Sequence, residues 1–351
     1  MHSYVFPGDL DKEIAAVGSQ PIPYMRTEEF SKINLESERI LLDLIHCHGG
    51  RTIIYTGSGT GAMNAVVENY VSTKGKALAI NGGSFGRRWV SLCEYYGVPV
   101  VDFKVPFAKD IDYDELERTV EAESPEVFLC QHHETSTGQI FNLEKISGIC
   151  HRHNVSLVVD VISTFLAEEL DMDALGIDIC ITSTQKGLNI PPGLSILFIS
   201  KRLEGYEYAH RGYYWDFEDN LGNLKRGQTP FSPATLIYLQ LNARLRQLQV
   251  QGGEMYNISQ VRHRAEVFRK ECRRYGWTMP AENPSHAITA IQTKDTAERR
   301  IFRGLIERYE TFIMPGSLPG FYRISHMGLQ TDEELRTLAE RIHLIETEID
   351  E

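Results

Sequence analysis

The sequence predicts an α/β protein: a mainly parallel sheet covered by helices, followed by a smaller α+β unit. Three observations lead there. Between about residues 51 and 200, short apolar runs alternate with longer amphipathic stretches. From about residue 235 to 275 the pattern becomes helical, and short strand-like runs then alternate with helical ones to the C-terminus. The 351 residues, 42% hydrophobic and 24% charged, suffice for one large core and a smaller one.

The strand candidates come in order as RTIIYT (51–56), KALAI (76–80), VPVVDF (98–103), EVFLCQ (126–131), SLVVDV (156–161), DICITS (178–183) and LSILFIS (194–200). Their near-continuous apolar character suits strands buried on both faces. The amphipathic stretches AMNAVVENYVS, RRWVSLCEYY, YDELERTVEAE and LEKISGICHRH read as the covering helices. In such a sheet, ligands gather at the carboxyl ends of the strands. Beyond GQTPFSPA (227–234) comes the long helical segment. AITAIQT, FIMPG and FYRISHMG then read as short strands, RRIFRGLIERY and DEELRTLAERIHLIETEI (332–349) as helices. The expected division is an N-terminal segment 1–20, a large domain 21–245 and a small domain 246–351, with the first segment packing beside the small domain.

Composition excludes some classes. A net charge of -12 lacks the basic excess of a nucleic-acid binder. No apolar run approaches the roughly 20 residues that cross a bilayer, and the first residues lack the pattern of a signal peptide. The six cysteines form no CxxC pair, and several sit in apolar runs, which fits reduced thiols in the cytoplasm. His46 and His48, and His151 and His153, are spaced i, i+2; on a helix they point apart, and no metal site is expected.

Three stretches carry chemistry. GSGTGAM (57–63) follows a strand and opens a helix, where glycines admit a ligand and free N–H groups suit a phosphate. A plain strand-to-helix turn is the alternative. A dinucleotide site would want an acid at the end of the next strand, which ends instead in AINGGSFG. Asp160 ends a strongly apolar strand and needs a cationic or hydrogen-bonding partner: an ordinary cap or ion pair, or a protonated heterocycle nitrogen. Lys186, in TSTQKGLNIPPG (182–193), follows the next strand; a lysine desolvated there becomes a usable nucleophile. Schiff-base lysine, acid and phosphate cradle together are what pyridoxal 5'-phosphate requires. HHETSTG (132–138), Phe85 and Arg323 are further candidates, each with an ordinary structural reading as turn, local packing or ion pair.

At these residues the chain resembles the class V aminotransferases, pyridoxal phosphate enzymes of fold type I. It is most similar to the alanine–glyoxylate/serine–pyruvate branch and to 2-aminoethylphosphonate–pyruvate transaminase. IPYMRTEEF, TGSGTGAMNA, NGGSFGRRW, HHETSTG, VVDVIST, STQKGLNIPPG, GQTPFSPA and YRISHMG stand in the family's order over nearly the whole length. The resemblance implies a three-layer large domain, a small C-terminal α+β domain, and a transaminase moving an amino group from a small amine or amino acid donor to a 2-oxo acid, pyruvate or glyoxylate. It makes Lys186 the Schiff-base lysine and proton carrier and Asp160 the partner of the pyridine nitrogen. Phe85 stacks on the ring, Ile162 packs its other face, and Thr135 lies near its hydroxyl. Ser58, Gly59, Thr60 and Gln185 hold the phosphate. Thr229 reaches the phosphate of the neighbouring subunit, implying a homodimer, while Arg323 and Gly8 face the substrate. Two positions depart from the family: Asp9 replaces a proline in the N-terminal loop, and Arg226 replaces a tyrosine found in some members. A lyase or decarboxylase on the same scaffold is the alternative. A desulfurase would need a late nucleophilic cysteine, and none follows Cys272.

Overall fold

The computed structural model describes residues 2–295 and 299–348. Ile349, the last residue of the expected C-terminal helix, lies outside them. The central sheet has seven strands, in the spatial order Arg51–Thr56, Leu194–Ile199, Ile179–Ser183, Ser156–Asp160, Val127–Gln131, Ala77–Asn81 and Val100–Lys104. Leu194–Ile199 runs antiparallel to both neighbours; all other pairings are parallel. The six remaining strands therefore end on one edge of the sheet. Register lines up Gln131 with Asp160 and Asp160 with Ile181, while Ser183 opposes Ser195.

Side-chain alternation divides the sheet residues between two apolar layers. Ile80, Phe128, Leu157, Val159, Cys180 and Ile196 pack on one face, with Phe30, Leu41, Leu116, Ile146 and Leu241 from covering helices. Ala79, Leu129, Val158, Ile179, Ile181 and Leu197 pack on the other, beneath Ala62, Val66 and Trp89. Helix, sheet and helix thus form three layers. Helix Glu28–Leu44 carries four buried apolar residues of the first layer, Phe30, Ile40, Leu41 and Leu44, yet its charged residues hide that stripe in the sequence and no helix is expected there.

A third core gathers Tyr4, Phe268, Trp277, Ile291, Leu305, Ile324, Leu335 and Ile342. It lies on an antiparallel sheet of Ile288–Gln292, Phe321–Ser325 and Met314–Pro315. His2–Ser3 pairs in parallel with Thr311–Phe312, attaching the first residues to this part of the molecule. The long helical segment divides into Thr235–Gln251 and Gly253–Tyr275, because Gly252 adopts a φ of 109° that ends the first helix. The expected boundary at 245–246 falls inside the first of these helices, where Leu245 and Leu248 still pack in the first core.

Candidate active site

Asp160 and Lys186 leave adjacent strands at the shared edge of the sheet. Asp160 is 6% exposed. Its Oδ1 accepts the amide of Ile162 at 2.8 Å. Burial raises its carboxyl to about 7, against the lowering effects of that hydrogen bond and of Lys186. Lys186 is 8% exposed, and burial lowers its amine to about 7, with Asp160 opposing the shift and Arg323 adding to it. The lysine turn is closed by Asn189 N–H donating to the Lys186 carbonyl at 2.8 Å. Gly187 lets this turn press on the loop after Asp160, since a Cβ there would lie 2.1 Å from the Phe165 carbonyl oxygen. The glycine thereby brings the two titratable groups together. The Lys186 Nζ stands 3.1 Å from the centroid of the Phe6 ring.

The glycine-rich stretch opens helix Gly59–Asn69. Ser58 caps it by position but not with its hydroxyl. The Gly59 and Thr60 amides, in the first turn, have no partner among the described residues. A Cβ on Gly59 would meet Ile162 Cδ1 at 2.4 Å and Ser183 Oγ at 3.5 Å, so the helix end is seated against the loop after Asp160 and the end of strand Ile179–Ser183. Ser183 Oγ, Ser195 Oγ and Gln185 Oε1 are buried there without partners.

Glu134 organises the next loop. Its carboxylate accepts the amides of Phe85 at 3.3 Å and Gly86 at 2.9 Å, capping helix Gly86–Tyr96 and fixing Phe85. It also accepts Gln131 Nε2 at 2.9 Å and the backbone and hydroxyl of Ser136. Thr135 and Ser163 share a hydrogen bond of 2.7 Å between hydroxyls, and His133 Nδ1 lies 3.1 Å from the same Ser163 oxygen. Arg323 joins from the small antiparallel sheet: Nη1 donates to the Thr135 carbonyl at 2.9 Å and Nη2 to that of Pro315 at 3.0 Å. Its buried Nε has no partner. Burial lowers the arginine below its usual range, and Glu134 opposes this.

Gly8 has a φ of 81° and packs on Gly328. Its loop is tied to the lysine turn, because Asn189 Nδ2 donates to the Pro7 carbonyl. The Asp9 side chain turns elsewhere, grouping with His2 and Glu334. The side chains of Thr229 and Arg226 bond within their own segment. Thr229 Oγ1 donates to the Phe231 carbonyl at 2.7 Å, and Arg226 Nη2 to Asn223 Oδ1 at 2.7 Å. His46 and His48 face separate carboxylates, Glu254 and Asp173. Sequence reasoning assigned no role to Phe6, Glu134, Ser163 or Asn189. Glu134 and Asn189 lie inside motifs already singled out, and an acid beside an apolar strand was the available signal for the former.

A parallel-rich three-layer sheet with a buried lysine and acid at its strand ends and an open helix N-terminus between them defines an aminotransferase of the pyridoxal phosphate type. The chain belongs to the class-V aminotransferase family, whose profile matches residues 16–208. A serine–glyoxylate aminotransferase of Hyphomicrobium methylovorum is 28% identical over 342 residues, covering 92% of this chain and 84% of the relative. A protein of Synechococcus sp. named as the small subunit of a soluble hydrogenase is 26% identical over 348 residues, 96% of this chain and 90% of its own. The crystal structure of an alanine–glyoxylate aminotransferase from Nostoc sp. superposes with a TM-score of 0.91 at 22% identity, covering 98% of this chain and 94% of that one. Pyridoxal 5'-phosphate is the cofactor. The residues present fit it: an open helix end whose Gly59 and Thr60 amides are unpartnered among the described residues, and beside it the buried, unpartnered hydroxyl of Ser183. Among the described residues, no helix is long and apolar enough to cross a membrane.

Proposed function

We propose that this aminotransferase takes an amino group from a small amine or amino acid and delivers it to pyruvate or glyoxylate. The observation that carries this reading is the buried Lys186–Asp160 pair, each group drawn toward neutrality, with the charge of Arg323, whose buried Nε has no partner, felt at the lysine. The glyoxylate-dependent relative supports the acceptor class.

When bound, pyridoxal phosphate supplies an electron sink for the carbanion formed at the substrate Cα. Lys186 Nζ, partly unprotonated near pH 7, serves first as nucleophile and then as the base that moves the Cα proton. Asp160 holds a proton on the ring nitrogen through its carboxylate. Phe85 and Ile162 would hold the ring, and Thr135, its hydroxyl bonded to that of Ser163, would bond the ring hydroxyl. Ser58, Gly59, Thr60 and Gln185 bind the phosphate. Arg323 orients the substrate carboxylate, with the Gly8 loop closing the site beside Lys186. Thr229 serves the partner subunit's phosphate in a homodimer. A large domain of 21–245 carries the cofactor and a small domain of 246–351 carries Arg323. Six buried, unpaired cysteines support a cytoplasmic setting.

The test is a half-reaction screen. The yellow enzyme is mixed separately with alanine, serine, aspartate, phosphoserine and 2-aminoethylphosphonate. The true donor bleaches the visible band and releases its own oxo product; added pyruvate or glyoxylate then restores the band. Carbon dioxide or an elimination product without bleaching would make the enzyme a decarboxylase or lyase instead.

A further inference from the structure

We propose that Arg88 is a phosphate-binding residue, whose guanidinium completes the anion site formed by Ser58, Gly59 and Thr60. The proposal rests on the reading of that helix end as the cofactor-phosphate cradle. Arg88 lies in the first turn of helix Gly86–Tyr96. Its Nη1 donates to Thr60 Oγ1 at 2.7 Å, crossing to the first turn of helix Gly59–Asn69. Its Cζ is 5.0 Å from the Phe85 ring centroid, so the planar group lies over the ring and is limited in how it can turn. Nη2 and Nε have no partner among the described residues, and Arg88 makes no ion pair there.

This placement is electrostatically odd for a structural arginine. The N-terminus of a helix carries a partial positive charge and favours anions. The other helix end nearby is served already, because Glu134 accepts the amides of Phe85 and Gly86. The end at Ser58 is not: Gly59 and Thr60 N–H are open, no side chain caps them, and a cation has been added beside them. A second, independent feature points to the same place. Ser183 is 1% exposed, and its hydroxyl has no partner although it lies 3.5 Å from where a Gly59 side chain would begin. Open amides, an unspent hydroxyl and an unpaired guanidinium have in common that a phosphate dianion satisfies all of them. The planar fork of arginine suits two phosphate oxygens at once, and Thr60 orients it by occupying one nitrogen. The charge is also felt at Asp160, where Arg88 is among the groups favouring the carboxylate.

The test compares ligands that differ only in the phosphate. Apoenzyme of the full chain is titrated with pyridoxal 5'-phosphate, with pyridoxal and with inorganic phosphate, as wild type, Arg88→Met and Arg88→Lys. Arg88→Met is expected to weaken the cofactor and inorganic phosphate by about 10- to 100-fold, as for a lost hydrogen bond to a charged group. Pyridoxal affinity is expected to change by less than about threefold, under 1 kcal/mol. Arg88→Lys should fall between, and if Arg88→Met fails to fold it decides the matter alone through the same split. Equal weakening of cofactor and pyridoxal would overturn the proposal by showing that Arg88 acts on the ring through Phe85. Unchanged affinities for all three would overturn it as well. If the wild type binds pyridoxal as tightly as its phosphate ester, the cradle reading itself fails, a result distinct from failure of the Arg88 assignment.

Discussion

Asn189 donates from its side-chain amide to the carbonyls of Pro7, at 2.7 Å, and Asp9, at 3.2 Å. The turn that follows Lys186 therefore holds the N-terminal loop, and with it Phe6, whose ring faces the lysine amine. Asn189 is 3% exposed and sits at a φ of 53°, a left-handed conformation that asparagine tolerates better than most residues.

Substitution separates the two contributions. Asn189→Ala loses both hydrogen bonds and bears the left-handed penalty, about 2–3 kcal/mol together. Asn189→Gly loses only the bonds. Urea unfolding should rank wild type above Asn189→Gly above Asn189→Ala, and equal losses in the two variants would remove the backbone contribution.

Lys186→Ala should abolish the covalent link that borohydride makes permanent between chain and cofactor. Intact mass after reduction reads this directly. An adduct that persists in the variant would give the role to another amine.

The two buried titratable groups make opposite contributions to stability with pH. Asp160 rises from 3.8 to about 7 on folding, so the folded chain keeps a proton the unfolded chain has released, and stability falls as pH rises from about 4 to 7. Lys186 drops from 10.5 to about 7, so the unfolded chain keeps the extra proton, and stability rises from about pH 7 to 10. Their combined contribution in the apoenzyme is thus lowest near neutrality. Lys186→Met should flatten the upper limb, so that its thermal midpoint loses ground to wild type steadily between pH 7 and 10. Parallel curves over that range would show that the lysine is not held neutral.

Arg323→Ala should raise KM for carboxylate substrates by about 10- to 100-fold, the range for a hydrogen bond to a charged group, while cofactor affinity moves far less. Its hydrogen bonds to the Thr135 and Pro315 carbonyls give it a structural reading too. An unchanged KM with a lowered melting temperature would assign it that reading alone.

Gly59→Ala should destabilise the apoenzyme by about 1–3 kcal/mol through overpacking, because the new methyl meets Ile162 Cδ1 at 2.4 Å. Ile162→Val removes that carbon. The double variant should recover most of the loss in a double-mutant cycle, whereas additive losses would place the clash elsewhere.

Much of the fold was legible because it rests on local periodicity. All seven central strands fall on the apolar runs, and alternating helices imply one shared carboxyl edge, which is where Asp160 and Lys186 emerge. Helix Glu28–Leu44 was not legible, since charges interrupt its buried stripe, nor was the break at Gly252, which depends on a backbone angle rather than on hydropathy. By itself, then, the sequence determined the layer order and which strand ends bear the lysine, the acid and the glycines. Only the tertiary structure decided what surrounds them: Glu134 beneath Phe85, Arg88 on Thr60, Asn189 on the N-terminal loop, and Arg323 against Thr135, 188 positions away in the chain. The physical reason is that periodicity is set residue by residue along an element. A contact between distant side chains is set by which strands become neighbours and by how closely glycines such as Gly59 and Gly187 let their loops approach.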